Sequence, residues 1–102
     1  MYAVSRRFRF DPASARQVND EIERFFVPMI KSTPGLVAYF WVDCGEGLAE
    51  SLSVYETRLG AETSVTIAAT WARTHQLFQI LGVPEVVQGE VKGHAVAALR
   101  PT

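Results

Sequence analysis

A chain of 102 residues that is 48% hydrophobic and 21% charged, with a formal net charge of −1 and a pI near 6.1, has the size and composition of one globular domain spanning residues 1–102. That balance excludes disorder, which needs low hydrophobicity and a large net charge, and it supplies no basic field of the kind that drives nucleic acid binding. Cys44 is the single cysteine, so no internal disulfide forms, and the longest apolar run, Leu36 to Val42, is seven residues against the roughly 20 of a membrane span.

The N-terminal residues lack the apolar core of a secretory signal, and a cytoplasmic protein is expected. Residues 2–10 read as a strand, with Val4, Phe8 and Phe10 on one parity and Ser5, Arg7 and Arg9 on the other. Asp11-Pro12 is a helix start, an N-cap followed by proline at the first position. Val18, Ile22, Phe25 and Met29 then form one apolar stripe, with Asp20 and Arg24 spaced as an ion pair on the opposite face. Pro28 should kink or end this helix near Val27, because it lacks a donor and clashes one turn back.

Pro34-Gly35 marks a turn, and Leu36 to Val42 reads as a strand. Asp43 to Gly47 forms a glycine-bearing loop. Leu48 to Glu56 follows, with Leu52 and Val54 on one side and Ser51, Ser53 and Tyr55 on the other, completing a hairpin. Residues 58–78 read as a second helix, its face centred on Ala61, Val65, Ala68 and Ala72, with Ile67, Trp71 and Phe78 along the edge. Gly82-Val83-Pro84 leads to a last strand, Val86 to Leu99, interrupted at Gly89 and Gly93.

Strand, helix, hairpin, helix, strand is the βαββαβ, ferredoxin-like order: an α+β fold with a four-stranded antiparallel sheet and two helices on one face. Leu36 to Val42 is apolar on both parities, although a sheet with one wet face should alternate. Pairing the open face with that of a second copy resolves this, so a homodimer joined through the sheet is expected. An RNA-recognition motif would need aromatic platforms on the first and third strands, and Ala49, Ser51 and Ser53 do not provide one. A metallochaperone of this topology would carry Cys-x-x-Cys, which is absent.

With this element order over residues 2–99, and with Pro34-Gly35-Leu36, Ser51 to Glu56, Ala68-Ala69-Thr70-Trp71, Pro84 and Gly89-Glu90-Val91 as they stand, the chain resembles the dimeric α+β barrel superfamily. The likeness is strongest to small proteins similar to antibiotic-biosynthesis monooxygenases. It implies two sheets packed into a barrel across a dimer, and in each subunit a pocket between sheet and helices. Some members of that superfamily oxidise aromatic polyketides with O2 and no cofactor, some degrade haem, and many have no known activity. The haem-degrading members use an asparagine on the first strand, whereas the one asparagine here, Asn19, falls on the first helix. Haem degradation is therefore not expected. The matching features belong to the scaffold and carry no catalytic signature.

His75 projects beside Trp71 on the apolar face of the second helix. It is either a pocket base or haem ligand with Trp71 as the wall, or a hydrogen-bonded histidine near a helix end, where the dipole favours a charged imidazole. Tyr39, Trp41 and Tyr55 either line a cavity or pack in a core or interface. Arg6 holds a ligand anion or lies near the interface, while Arg7 and Arg9 form the wet side of their strand; His94 faces the dimer interior or solvent. No spacing joins His75, His94 and Cys44 to the acids as a metal motif, and neither metal nor cofactor is expected. The resulting expectation is a homodimer binding a small apolar or aromatic ligand, with no nucleic acid and no membrane as partner. As an enzyme it would be a cofactor-independent, monooxygenase-like protein with His75 as base, Trp71 as wall and Arg6 steadying the anion. A ligand-sensing dimer and a structural module with a self-filled cavity are the alternatives, and the sequence does not separate them.

Overall fold

The computed structural model describes residues 1–97. Strand β1 (Tyr2–Arg9) leads through a 3-10 turn, Pro12–Ser14, into helix α1 (Ala15–Glu21). Asp11 caps that turn by accepting from the Ala13 amide at 2.9 Å, with Pro12 where a missing N–H goes unnoticed. The helix continues through a π-helical stretch, Ile22–Phe26, into α2 (Val27–Lys31). Strands β2 (Leu36–Gly45) and β3 (Leu48–Tyr55) form the hairpin. Helix α3 (Arg58–Thr74), the short helix α4 (Leu77–Leu81) and strand β4 (Glu85–Glu90) complete the chain. The sheet order is β2-β3-β1-β4 with every pairing antiparallel, and among the described residues no helix is long and apolar enough to cross a membrane.

Pro28 neither ends nor breaks the first helix. The π stretch absorbs it: the Val27 amide donates to the Ile22 carbonyl five residues back, so the chain opens by one residue as the proline enters. The extra residue also moves the buried stripe. Val18, Ile22, Phe26 and Ile30 are buried, a strict spacing of four, while Phe25, placed in the core by a 3.6-residue period, is exposed. A regular helix would let that spacing drift around its axis, and the wide turn brings it back.

Other boundaries differ from expectation. The second helix divides at His75 and Gln76, the latter in the left-handed region at φ +60°. Strand β2 runs on to Gly45, with register shifts between Leu36 and Ala38 and between Asp43 and Gly45. Strand β4 stops at Glu90, and residues 91–97 form no regular element. The remainder of the predicted last strand, Ala98 and Leu99, lies outside the described residues, as does the Phe78 side chain.

Helices cover one side of the sheet. There Val18, Ile22, Phe26, Ile30, Trp71, Leu77 and Leu81 form the main core, and Tyr2, Val4, Tyr55 and Ala61 a second cluster. The side chains of Tyr39 and Trp41 point into the main core, and the shift at Val37 lets Leu36 join them. The opposite parity faces away from the helices and stays uncovered: Phe40 is 52% exposed, Val42 49%, Leu52 40% and Val87 76%. These side chains run in register across the sheet, Phe40 beside Leu52, Leu52 beside Ser5 and Ser5 beside Val87.

The hairpin closes on Gly45, Glu46 and Gly47, all with positive φ. The Phe10 amide donates to the Gly47 carbonyl at 2.8 Å, and a Cβ on Gly47 would overlap the Phe10 carbonyl. Gly47→Ala is expected to destabilise the protein by about 1–3 kcal/mol, seen as a lower urea midpoint. An unchanged midpoint would mean that this contact does not hold the hairpin to the end of β1.

Candidate functional site

A cavity of about 320 Å³ lies between the sheet and the helices, within the lower range of small-molecule sites. Its floor follows from strand register. Trp41, Ser51, Arg6 and Val86 sit side by side across the four strands, and Tyr39, Ser53 and Val4 form the next row. Strand β3 therefore places small side chains between the large ones of its neighbours. The roof repeats the device, since α3 presents Ser64, Ala68, Ala69 and Ala72 above that hollow. Ile22, Phe26 and Ile30 close one side, Trp71 stands in the wall, and Leu81 to Pro84 lie at the rim.

The wall is apolar and aromatic. The rings of Phe26 and Trp71 meet edge-on with centroids 5.0 Å apart, Phe26 lies 5.2 Å from Tyr39, and Phe8 lies 5.5 Å from Trp41. Against this stands one guanidinium. Arg6 lines the floor, half-buried, and among the described residues no carboxylate pairs with it; the ion pairs present are Arg7–Glu50, Arg24–Asp20, Arg58–Glu62 and Lys92–Glu90. Burial lowers the Arg6 pKa from its ordinary value, while Tyr55 and Tyr39 pull the other way. Burial drives the Tyr39 phenol above its ordinary pKa, against the opposing pull of Arg6. At neutral pH the site thus holds a cation and a neutral phenol, a donor rather than a base.

Arg6, Tyr39, Trp41 and Trp71 are brought together on the cavity wall. Tyr55 lies outside that wall in the second cluster, fully buried, and its hydroxyl finds no partner among the described residues. His75 is also outside the wall. It is the C-cap of α3, its ring stacked on Trp71 at 4.3 Å and 21° and lying 5.8 Å from Phe25. Its Nδ1 sits 3.0 Å from the Trp71 carbonyl, which can only accept, so the proton is on Nδ1. His94 is exposed in the irregular segment after β4, and Cys44 is exposed on β2.

Asn19 escapes a reading that seeks chemistry on strands. Its Oδ1 accepts from the Trp41 indole N–H at 2.8 Å, and its Nδ2 donates to Asp43 Oδ2 at 2.9 Å. Asp43 Oδ1 accepts from the Gly45 amide at 2.8 Å; that bond, then the one from Asn19, holds the Asp43 pKa below the ordinary carboxylate value. Ser51, Ser64 and the Leu81–Pro84 rim likewise carry no sign of a cavity in the sequence, because small or isolated residues give no signal until register sets them side by side.

No family profile and no curated protein matches the sequence. Solved structures do match over nearly the whole chain. A protein of unknown function from Nitrosomonas europaea, NE2512, superposes with a TM-score of 0.79 at 18% identity, covering 95% of this chain and 94% of that one. The ActVA-Orf6 monooxygenase of Streptomyces coelicolor, in complex with nanaomycin D, gives 0.71 at 14% identity over 95% and 92%. A further antibiotic biosynthesis monooxygenase gives 0.73 at 16% over 91% and 100%. The fold is that of the antibiotic-biosynthesis-monooxygenase-like proteins. At such identities the likeness concerns the scaffold and does not extend to the side chains that line the cavity.

The Tyr55 hydroxyl marks where that cavity's surroundings can be tested without a ligand. An unsatisfied buried donor lowers stability, so Tyr55→Phe is expected to raise it by about 1 kcal/mol in urea denaturation. A loss of similar size would mean that the hydroxyl is bonded in solution.

Proposed function

We propose that this chain is a homodimeric small-molecule-binding protein whose cavity takes a flat aromatic ligand, with an acidic hydroxyl or carboxylate set against Arg6. The observation that carries the reading is a guanidinium that, among the described residues, pairs with no carboxylate on the floor of an otherwise aromatic and aliphatic hollow. A half-buried cation without a counter-charge loses part of its hydration uncompensated, and an anionic ligand relieves it. The same cation lowers the pKa of a bound phenol and holds its anion beside the rings of Trp41 and Trp71.

From there the reaction is a cofactor-independent monooxygenation. A hydroxyarene such as 1-naphthol plus O2 gives the quinone plus water, and the substrate supplies all four electrons. Arg6 steadies the electron-rich anion, Tyr39 remains a neutral donor, and the aliphatic wall excludes water. Among the described residues no imidazole or carboxylate lines the cavity, so ionisation rests on the guanidinium and on a ligand that is already acidic. His75 supports Trp71 from outside the wall. That lack of a wall base also favours a second reading, a ligand-sensing dimer that binds and does not turn over.

Calorimetry with 2-naphthoate and naphthalene, and O2 uptake with 1-naphthol, test both. The carboxylate is expected to bind more tightly than the hydrocarbon, and Arg6→Met to weaken 2-naphthoate at least about tenfold while leaving naphthalene within about twofold. Equal loss of both probes would remove the anion from the reading. Quinone formation supports the oxygenase, and binding without O2 uptake supports the sensor.

The dimer joins the uncovered sheet faces of two copies, burying Phe40, Leu52 and Val87. Leu52→Asp is expected to convert a dimer into a monomer in sedimentation. A wild-type monomer at tens of micromolar would contradict the pairing.

A further inference from the structure

We propose that Asn19 is the positioning residue that turns Trp41 into an apolar wall of the cavity, leaving Arg6 and Tyr39 to read the polar end of the ligand. The inference rests on the ligand-binding reading of that cavity and extends it to a residue outside the wall.

Direction in the hydrogen-bond chain makes the case. An asparagine amide has an accepting end and a donating end, and nothing intrinsic fixes which end faces which neighbour. The Asp43 carboxylate can only accept, so Asn19 must turn its Nδ2 there, at 2.9 Å. Its Oδ1 is then presented to the Trp41 indole, whose N–H can only donate, at 2.8 Å. The other Asp43 oxygen is held by the Gly45 amide at 2.8 Å, which anchors the chain to the end of β2. Each group has one role available, and the three fit in one order.

The consequence is a choice of which part of the indole meets a ligand. Trp41 and Arg6 flank Ser51 in one row of the floor. An indole N–H free to turn towards the hollow would compete with Arg6 for the ligand's acceptor and would be left unpaired beside a hydrocarbon. Bonded to Asn19, it is withdrawn, and carbon faces the ligand. The site then has a polar side at Arg6 and Tyr39 and an apolar flank at Trp41, which orients a flat aromatic acid.

The test uses four proteins: wild type, Asn19→Leu, Asn19→Asp, and Asn19→Asp combined with Asp43→Asn. Asn19→Leu removes the acceptor. Asn19→Asp sets two carboxylates against each other. The double variant exchanges amide and carboxylate, so that residue 19 accepts from both Trp41 and residue 43, and the net charge returns to that of wild type. Nitrogen–proton NMR reads the two indole N–H signals, assigned with Trp41→Phe, and calorimetry reads naphthalene and 2-naphthoate. Both single variants are expected to shift the Trp41 signal, hasten its exchange with water and weaken naphthalene at least about fivefold. The double variant is expected to restore the signal and bring affinity within about twofold of wild type. A Trp41 signal unchanged in Asn19→Leu overturns the assignment, as does a folded double variant that restores neither signal nor affinity. If the indole responds as expected but neither probe binds wild type, the cavity reading has failed and Asn19 is part of the scaffold only.

Discussion

Ala49, Ser51 and Ser53 stand on the helix-facing side of the sheet between Phe8, Arg6 and Val4 on one neighbour and Trp41 and Tyr39 on the other. The hollow depends on that contrast of sizes. Leucine or valine in those positions would bury more apolar surface, at roughly 1.5–3 kcal/mol per side chain, and would fill the space. Strand β3 instead sends Leu52 and Val54 to the face without helices and keeps its one large core residue, Tyr55, at the strand's end outside the hollow. The core thus leaves space in its middle while Leu52 stays exposed on its back.

The helical layer follows from the same need. Helix α3 lies over the hollow mainly with serine and alanine, beside Val65, and the first helix supplies larger contacts through Ile22, Phe26 and Ile30. Those residues recur every four positions, a spacing a regular helix cannot keep on one side. The wide turn at Ile22–Phe26 corrects the drift and accommodates Pro28 in the same stroke. Trp71, the large side chain α3 does contribute, is fixed by Phe26 on its edge and by His75 stacked on its ring. His75, one helical turn after the tryptophan, stacks on it from outside the cavity wall.

Much of the scaffold was legible in the sequence because it is written in local periodicity. Alternation in residues 2–10, the Asp11-Pro12 start and the glycine loop each specify an element without reference to the rest of the chain. What could not be read there depends on pairing. One step of strand register decides whether Ser51 or Leu52 faces the helices, and the alternation of β3 suits either answer. Arg6 shares its parity with Val4 and Phe8, yet only the row Trp41–Ser51–Arg6 shows that it stands in a hollow. Asn19 carries no signal of its own, since its partners Trp41 and Asp43 lie more than twenty positions away. In the first helix the buried aromatic is Phe26 and not Phe25, because a π turn has no sequence period to announce it.

A crystal of the protein grown with 2-naphthoate decides whether the hollow is a ligand site polarised by Arg6. The rings are expected between the sheet and α3, against Trp41 and Trp71, with the carboxylate within hydrogen-bond reach of the Arg6 guanidinium. A hollow closed by its own side chains, or a naphthoate held only on the outer surface, would contradict it.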